Sequence, residues 1–234
     1  MPRTKMTRHQ LKEQDEITTS LQTFSELLVA RKKEAITGVS VIAALVIIYF
    51  GWSYYSSSRN ARAQTELSQA INTYGDTTIK SDKERYQRTM DQAQKVADNY
   101  GSLNAGKIAL YYVALSQEGL GDTPKAVQNL QDVAQRGDAS IKGVAQFALG
   151  EVYKKHGDTQ KAIDTDKALF DSGGYSRSAV AYELAMLYEA NNQADQAKQF
   201  YQKVVTDFPD SPFRQNADDA LKRLGVVTPP PKPS

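Results

Sequence analysis

A short phrase recurs at a nearly constant step through the second half of this chain, and it narrows the available folds more than any other feature. Gly121-Asp122 and Gly157-Asp158 lie 36 residues apart, and Asn192-Gln193 follows 35 later. After each comes an alanine-centred phrase: Lys125-Ala126-Val127, Lys161-Ala162-Ile163 and Gln196-Ala197-Lys198. Before each runs an apolar pattern of helical spacing. The first contains Leu110, Val113 and Ala114, the second Leu149, Gly150 and Tyr153, the third Leu184, Ala185 and Tyr188. Residues 94–100 also match residues 202–208 at an offset of 108, which is three steps of 36. A helix–turn–helix unit of this length cannot bury its apolar face alone, so copies must stack, and about four are expected.

These residues fall on the signature positions of the tetratricopeptide repeat, and the chain resembles that family well over residues 103–210 and loosely over 59–102. Leu149-Gly150-x-x-Tyr153, the turn at Gly157-Asp158, Ala162 and Leu169 fit one copy. Leu184-Ala185-x-x-Tyr188, Ala197, Tyr201, Val204 and Pro209 fit the next. The small residues Ala114, Gly150, Ala185, Ala126, Ala162 and Ala197 would let paired helices approach closely, with larger neighbours filling the gaps. Three departures stand out. The stretch from Gly75 to Asp82 is a longer polar link than a tight turn, and Gln117 replaces the usual tyrosine of a first helix. Asp166 takes a position normally apolar or aromatic. Either its helix is rotated or its carboxylate finds a hydrogen-bonding partner, because an unpaired buried charge is costly. Ser211 can cap a last helix with Pro212 at its first position, running through Ala217, Leu221 and Leu224 to a stop at Gly225. Residues 226–234, with Pro229, Pro230, Pro231 and Pro233, read as an extended tail without a core.

A second constraint lies upstream. No residue from Ala35 to Ser58 is charged, and a helix of roughly 20 apolar residues crosses the hydrocarbon core of a bilayer. Tyr49, Trp52, Tyr54 and Tyr55 gather at one end, where aromatic rings favour the headgroup level. Arg31, Lys32 and Lys33 precede the span, with Arg3, Lys5, Arg8 and Lys12 further back, whereas only Arg59 and Arg62 follow closely. The positive-inside rule then puts residues 1–34 in the cytoplasm and, beyond a transmembrane helix at 35–58, residues 59–234 on the far side, of which 59–225 read as the repeat domain. Ala61-Arg62-Ala63 has the small-x-small form of a signal-peptide cleavage site, but the leading region and the apolar run are both long for such a peptide, which favours an uncleaved anchor. Ile17, Leu21, Phe24, Leu27 and Leu28 recur at helical spacing and read either as a surface amphipathic helix or as a solvated tail. The expected architecture is all-α: a transmembrane helix followed by an α-solenoid of about 3.5–4 helix pairs with a C-terminal capping helix.

Little in the sequence nominates catalysis. There is no cysteine, so a disulfide framework, a thiolate nucleophile and a cysteine-based zinc site are excluded. Seven Lys/Arg face five Asp/Glu in the first 34 residues, and the rest of the chain balances at 22 of each. Such a neutral domain is a poor candidate for nucleic-acid binding, which needs a clustered basic face. His9 and His156, the two histidines, fall on opposite sides of the proposed membrane. His156 precedes Gly157 at a helix end, where a cation suits the dipole. No phosphate-binding glycine loop occurs. A binding protein is expected rather than an enzyme, with no cofactor, no metal and no small-molecule substrate.

In the tetratricopeptide frame the first helix of each pair lines the inner face of the array. That places Ile108, Tyr111 and Leu115, then Val144, Phe147 and Glu151, then Ala179, Tyr182 and Met186 on a partner-binding groove. Tyr111, Phe147 and Tyr182 sit at equivalent places, and they either meet a partner or pack between repeats. The order of charged start, single anchor and capped repeat domain also resembles the ancillary subunit family of the bacterial SecYEG translocon. The features that carry this likeness are Arg31-Lys32-Lys33, the span from Ala35 to Trp52 and a helix beginning near Arg59. It implies an inner-membrane anchor with a periplasmic domain, and translocon subunits, a membrane-anchored periplasmic chaperone and newly exported chains as partners. A cell-envelope assembly or division scaffold is the alternative, and an enzyme or sensor with a cryptic site a more distant one.

Overall fold

A computed structural model describes residues 32–226 of the 234-residue chain. The amphipathic segment around Ile17–Leu28 and the proline-rich tail beyond Val226 lie outside the described residues. Among the described residues there are nine helices and no strand: α1 (Lys32–Tyr74), α2 (Asp82–Tyr100), α3 (Asn104–Gly119), α4 (Thr123–Arg136), α5 (Ala139–Lys155), α6 (Thr159–Ser172), α7 (Arg177–Ala190), α8 (Ala194–Asp207) and α9 (Arg214–Arg223). By contact the chain divides between Arg59 and Asn60 into two units.

The first unit holds the apolar part of α1. Its side chains from Ile36 to Tyr55 point away from protein, and Val39, Ile42, Leu45, Ile47, Ile48, Phe50 and Trp52 are all exposed. α1 is the one helix among the described residues that is long and apolar enough to cross a membrane, with a mean hydropathy of 2.0 and none of its apolar window buried. A helix apolar on every side suits lipid or a core, and here no core surrounds it. The sequence reading places a new helix near Arg59. Instead α1 continues unbroken, because residues 52–62 contain neither proline nor any other helix-stopping element. Past Arg59 the pattern becomes amphipathic, with Ala63, Leu67 and Ala70 buried at helical spacing.

The second unit is a stack of helix pairs: the end of α1 with α2, which share an apolar cluster, α3 with α4, α5 with α6, and α7 with α8, closed by α9. Three apolar clusters run through it. Ala63, Leu67, Ala93, Val96, Ala109 and Val113 form the first. Ala114, Leu130, Val133, Ala145 and Leu149 form the second. Leu169, Leu184, Tyr201, Val204, Ala217 and Leu221 belong to the third, which reaches the capping helix. The small residues expected at helix crossings, Ala114, Ala126, Ala162, Ala185 and Ala197, are fully buried.

Local signals account for the boundaries. Ser81 caps α2 by accepting from the Glu84 N–H at 3.3 Å. Asp138 caps α5 through the N–H groups of Ser140 and Ile141 at 3.0 and 3.3 Å. Pro124 sits in the first turn of α4, where its missing N–H is no loss. The cap helix departs from expectation: Ser211 Oγ accepts from the Phe213 N–H at 3.2 Å, but the Ser211–Phe213 stretch forms a turn and α9 starts at Arg214.

The recurring turn is one hydrogen-bonded motif used four times. The N–H of Asp122 donates to the Gln117 carbonyl at 2.8 Å, Asp158 to Tyr153 at 2.9 Å, Gln193 to Tyr188 at 2.8 Å and Val226 to Leu221 at 2.8 Å. In each, the preceding residue adopts positive φ: Gly121 at 86°, Gly157 at 80°, Asn192 at 56° and Gly225 at 79°. This is the Schellman closure of a helix, in which a left-handed residue lets the chain turn back and satisfy the last carbonyls. Only glycine, and less readily asparagine, adopts that conformation at low cost. Gly157→Ala is therefore expected to lower stability by about 1 kcal/mol, while Asn192→Gly leaves it unchanged or raises it slightly. Chemical denaturation followed by circular dichroism checks both. Unchanged stability in Gly157→Ala would show that the turn is not conformationally demanding.

Candidate functional site

All nine residues assigned to the groove from sequence lie half-buried on first helices: Ile108, Tyr111 and Leu115 on α3, Val144, Phe147 and Glu151 on α5, and Ala179, Tyr182 and Met186 on α7. The structure also shows what each ring touches. Tyr111 meets Tyr112 edge to face with centroids 5.5 Å apart, and Tyr112 meets Tyr74 of α1 at 5.3 Å. Phe147 stacks on Tyr175 at 4.7 Å, and Tyr182 stacks on Phe213 at 5.2 Å. Each ring thus joins an aromatic contact that leads to the neighbouring repeat while keeping part of its surface in solvent. Burial is the main reason the Tyr111 hydroxyl is pushed up to about 12, with Tyr112, Tyr74 and Tyr175 adding to it. Tyr175 and Phe213 escape the sequence reading because they lie in the loops before α7 and α9, outside the repeating phrase. A recess of about 340 Å³ opens beside Tyr182 and Met186, bounded by Glu189, Tyr201, Ala220 and Arg223.

Polar side chains clip successive repeats together. Glu118 Oε1, at the end of α3, accepts from Lys155 Nζ at 2.8 Å and lies 2.9 Å from His156 Nε2, both at the end of α5. Thr123 Oγ1 donates to Glu118 Oε2 at 2.9 Å. Burial pushes the Glu118 carboxyl up, but the hydrogen bonds from Lys155, His156 and Thr123 outweigh it and hold the group below its ordinary value. Its stabilising effect is therefore present at neutral pH and fades as pH falls through that lowered value. Glu189 plays a matching part at the cap, accepting from Arg223 at 2.8 Å and from the Tyr201 hydroxyl at 2.8 Å. His156 thus has a partner across the repeat junction, beyond the helix-end role read from sequence. Glu118→Ala is expected to cost about 1–3 kcal/mol at pH 7, read from thermal unfolding, with the deficit shrinking in acid. A pH-independent deficit would mean that packing, not charge, is what Glu118 supplies.

The third helix pair is electrostatically unusual. Lys154 Nζ donates to Glu151 at 2.6 Å and to Glu183 of α7 at 2.8 Å. Nearby on α6, Asp166 is only 1% exposed, and its Oδ1 has no hydrogen-bond partner. Neither sequence expectation for Asp166 holds. Its helix is not rotated, since Ala162, Ile163, Leu169 and Phe170 are buried in register around it. The carboxylate instead fills the space left by the absent side chain of Gly150, where a Cβ would overlap Oδ1. Burial, reinforced by Glu183 and Glu151 and opposed by Lys154, raises its carboxyl to about 7. Gln117, another of the three departures, is buried and accepts from Asn129 Nδ2 at 2.9 Å. Among the described residues no group of three or more His, Cys, Asp or Glu side chains is placed to hold a metal ion.

Comparison with known proteins agrees with this geometry. No curated protein is significantly similar in sequence. Among solved structures, the nearly identical TPR-like repeats of Podosopora anserina named for a kinesin light chain superpose with a TM-score of 0.55 at 18% identity, covering 70% of this chain and 85% of that one. A point variant of the same repeats gives 0.54 at 18%, covering 70% and 84%. MamA gives 0.48 at 18%, covering 62% and 81%. At these identities the likeness concerns the fold. The profile of the tetratricopeptide repeat-like domain family matches residues 30–226, which span all nine described helices, the four-fold turn and the small residues at the helix crossings. The chain belongs to the tetratricopeptide repeat-like domain family.

Proposed function

We propose that this protein is a membrane-anchored scaffold that binds polypeptide partners along the face formed by its first helices. Residues 35–58 hold it in the inner membrane with the N-terminus in the cytoplasm, and the repeat array works in the periplasm as an ancillary part of the export machinery. Its partners are translocon subunits, a membrane-anchored periplasmic chaperone and exported chains. The observation that carries this reading is the pairing, within one chain, of an exposed apolar helix with a tetratricopeptide-like array. Such arrays bind proteins through stacked helix faces, and here that face carries half-buried rings, a methionine and a recess. Tethering holds the face at the membrane surface, which raises the effective concentration of membrane-bound partners without any new contact.

Site-specific photocrosslinking in cells from positions 111, 147 and 182 tests the assignment, with mass spectrometry of the adducts. Translocon subunits, a periplasmic chaperone or exported chains are the expected products. Division or envelope-assembly proteins would move the protein to that class instead. A soluble fragment of residues 59–234 that fully replaced the intact chain would remove the tether from the mechanism.

A further inference from the structure

Around Lys154 the third helix pair and α7 bring three carboxyl groups together. Glu151 and Lys154 come from α5, Glu183 from α7 and Asp166 from α6. Lys154 serves both surface carboxylates at once, and the three side chains remain accessible: Glu151 40%, Lys154 35% and Glu183 17% exposed. Behind them Asp166 reaches from α6 to the backbone of α5 at Gly150, the residue before Glu151, with its Oδ1 unpartnered. One ammonium therefore faces three carboxyl groups, one of which is buried and lacks a donor. Phe147 lies one turn before Glu151 on α5, and Tyr182 precedes Glu183 on α7.

We propose that this stretch of the first-helix face is a subsite for a lysine or arginine side chain of the bound polypeptide, and that seating the cation releases a proton from Asp166. The inference rests on the reading of this face as the partner-binding groove. A guest ammonium or guanidinium beside Glu151 and Glu183 offsets the repulsion that favours the neutral Asp166 acid. The Asp166 O–H bond then breaks, the electron pair stays on the carboxylate, and the proton passes to solvent. By linkage the guest binds more tightly as pH rises through the range in which Asp166 titrates.

Isothermal titration of the full chain in an uncharged detergent tests this, with hexa-arginine as the probe and hexa-glutamate as the control. Titrations at pH 6.5 in two buffers of different ionisation enthalpy count the protons released. Hexa-arginine is expected to bind and hexa-glutamate not to, with a fraction of a proton released per peptide. Asp166→Asn should retain binding and abolish the buffer dependence. Glu151→Gln with Glu183→Gln should weaken binding about tenfold or more, with the helical circular dichroism signal intact. Binding that survives the double substitution, no binding to wild type, or a buffer dependence that persists in Asp166→Asn would each overturn the proposal. If partners crosslink at positions 111, 147 and 182 but hexa-arginine does not displace them, the groove stands and the cationic subsite falls.

Discussion

Leu45→Arg together with Ile48→Arg is expected to release the protein from the membrane fraction while leaving the repeat array folded. Both residues lie near the middle of the uncharged run and are exposed in the first unit, so neither contributes to the three apolar clusters. Moving a single arginine to the centre of a spanning helix costs about 2.5–3.5 kcal/mol, and each substitution also loses the favourable transfer of the aliphatic side chain. Together they oppose insertion by about 6–8 kcal/mol, more than enough to reverse a marginal partition. Carbonate extraction of membranes followed by immunoblotting reads the partition, and circular dichroism of the released protein reads the fold. Retention of the double variant in the extracted membranes would show that some other segment holds the chain there. Loss of helical signal would mean that α1 is also needed for the array to fold.

Most of the repeat architecture is legible in the sequence because it rests on local chemistry with a fixed period. The turn at Gly121, Gly157 and Asn192 needs a left-handed residue, and the crossings at Ala114, Gly150 and Ala185 need small ones, so both leave a visible trace every 35 or 36 residues. What escapes depends on residues far apart in sequence or on loops with no period. The clip between Glu118 and the Lys155-His156 pair joins positions 37 and 38 apart, and its members look like ordinary helix-end charges when read singly. Tyr175 and Phe213 approach Phe147 and Tyr182 only because the loops fold back onto the first helices. At Arg59 a change of composition imitates a helix boundary, although no residue there stops a helix. At the cap the Ser211-Pro212 signal is real, but the chain uses it to make a turn before α9 begins. For the groove, the repeat frame locates the first-helix face, yet periodicity alone does not reveal the ring that each aromatic meets.

Asp166→Leu is expected to stabilise the protein strongly above neutral pH and hardly at all near pH 4. The wild-type carboxyl titrates near 7 in the folded chain and, with an ordinary value of 3.8, far lower when unfolded. Between those values the folded state holds a proton that the unfolded state has released, so stability falls as pH rises, by about 1.4 kcal/mol per unit for this group. Above pH 7 both states are ionised and the loss levels off at about 4 kcal/mol. Leucine has the same branching at Cγ and places methyl groups where the carboxylate oxygens lie, in the space left open by Gly150. Replacing a buried charge by an apolar group of similar shape is commonly neutral or stabilising, in keeping with the usual apolar residue at this position of the repeat. At pH 8 the variant should therefore gain about 3–4 kcal/mol, a rise in melting temperature of roughly 6–16 °C for a domain of this size. Asp166→Asn should flatten the same pH dependence with a smaller gain, because its amide brings two buried donors that need partners. Thermal unfolding of wild type and both variants at pH 4.5, 6 and 8 separates charge from shape. A leucine gain that is the same at every pH would mean that packing alone is at work, and a leucine variant less stable than wild type at pH 8 would mean that the carboxylate has a partner it acquires only in solution. The first of these outcomes would also remove the titrating group on which proton-coupled binding at Glu151 and Glu183 depends.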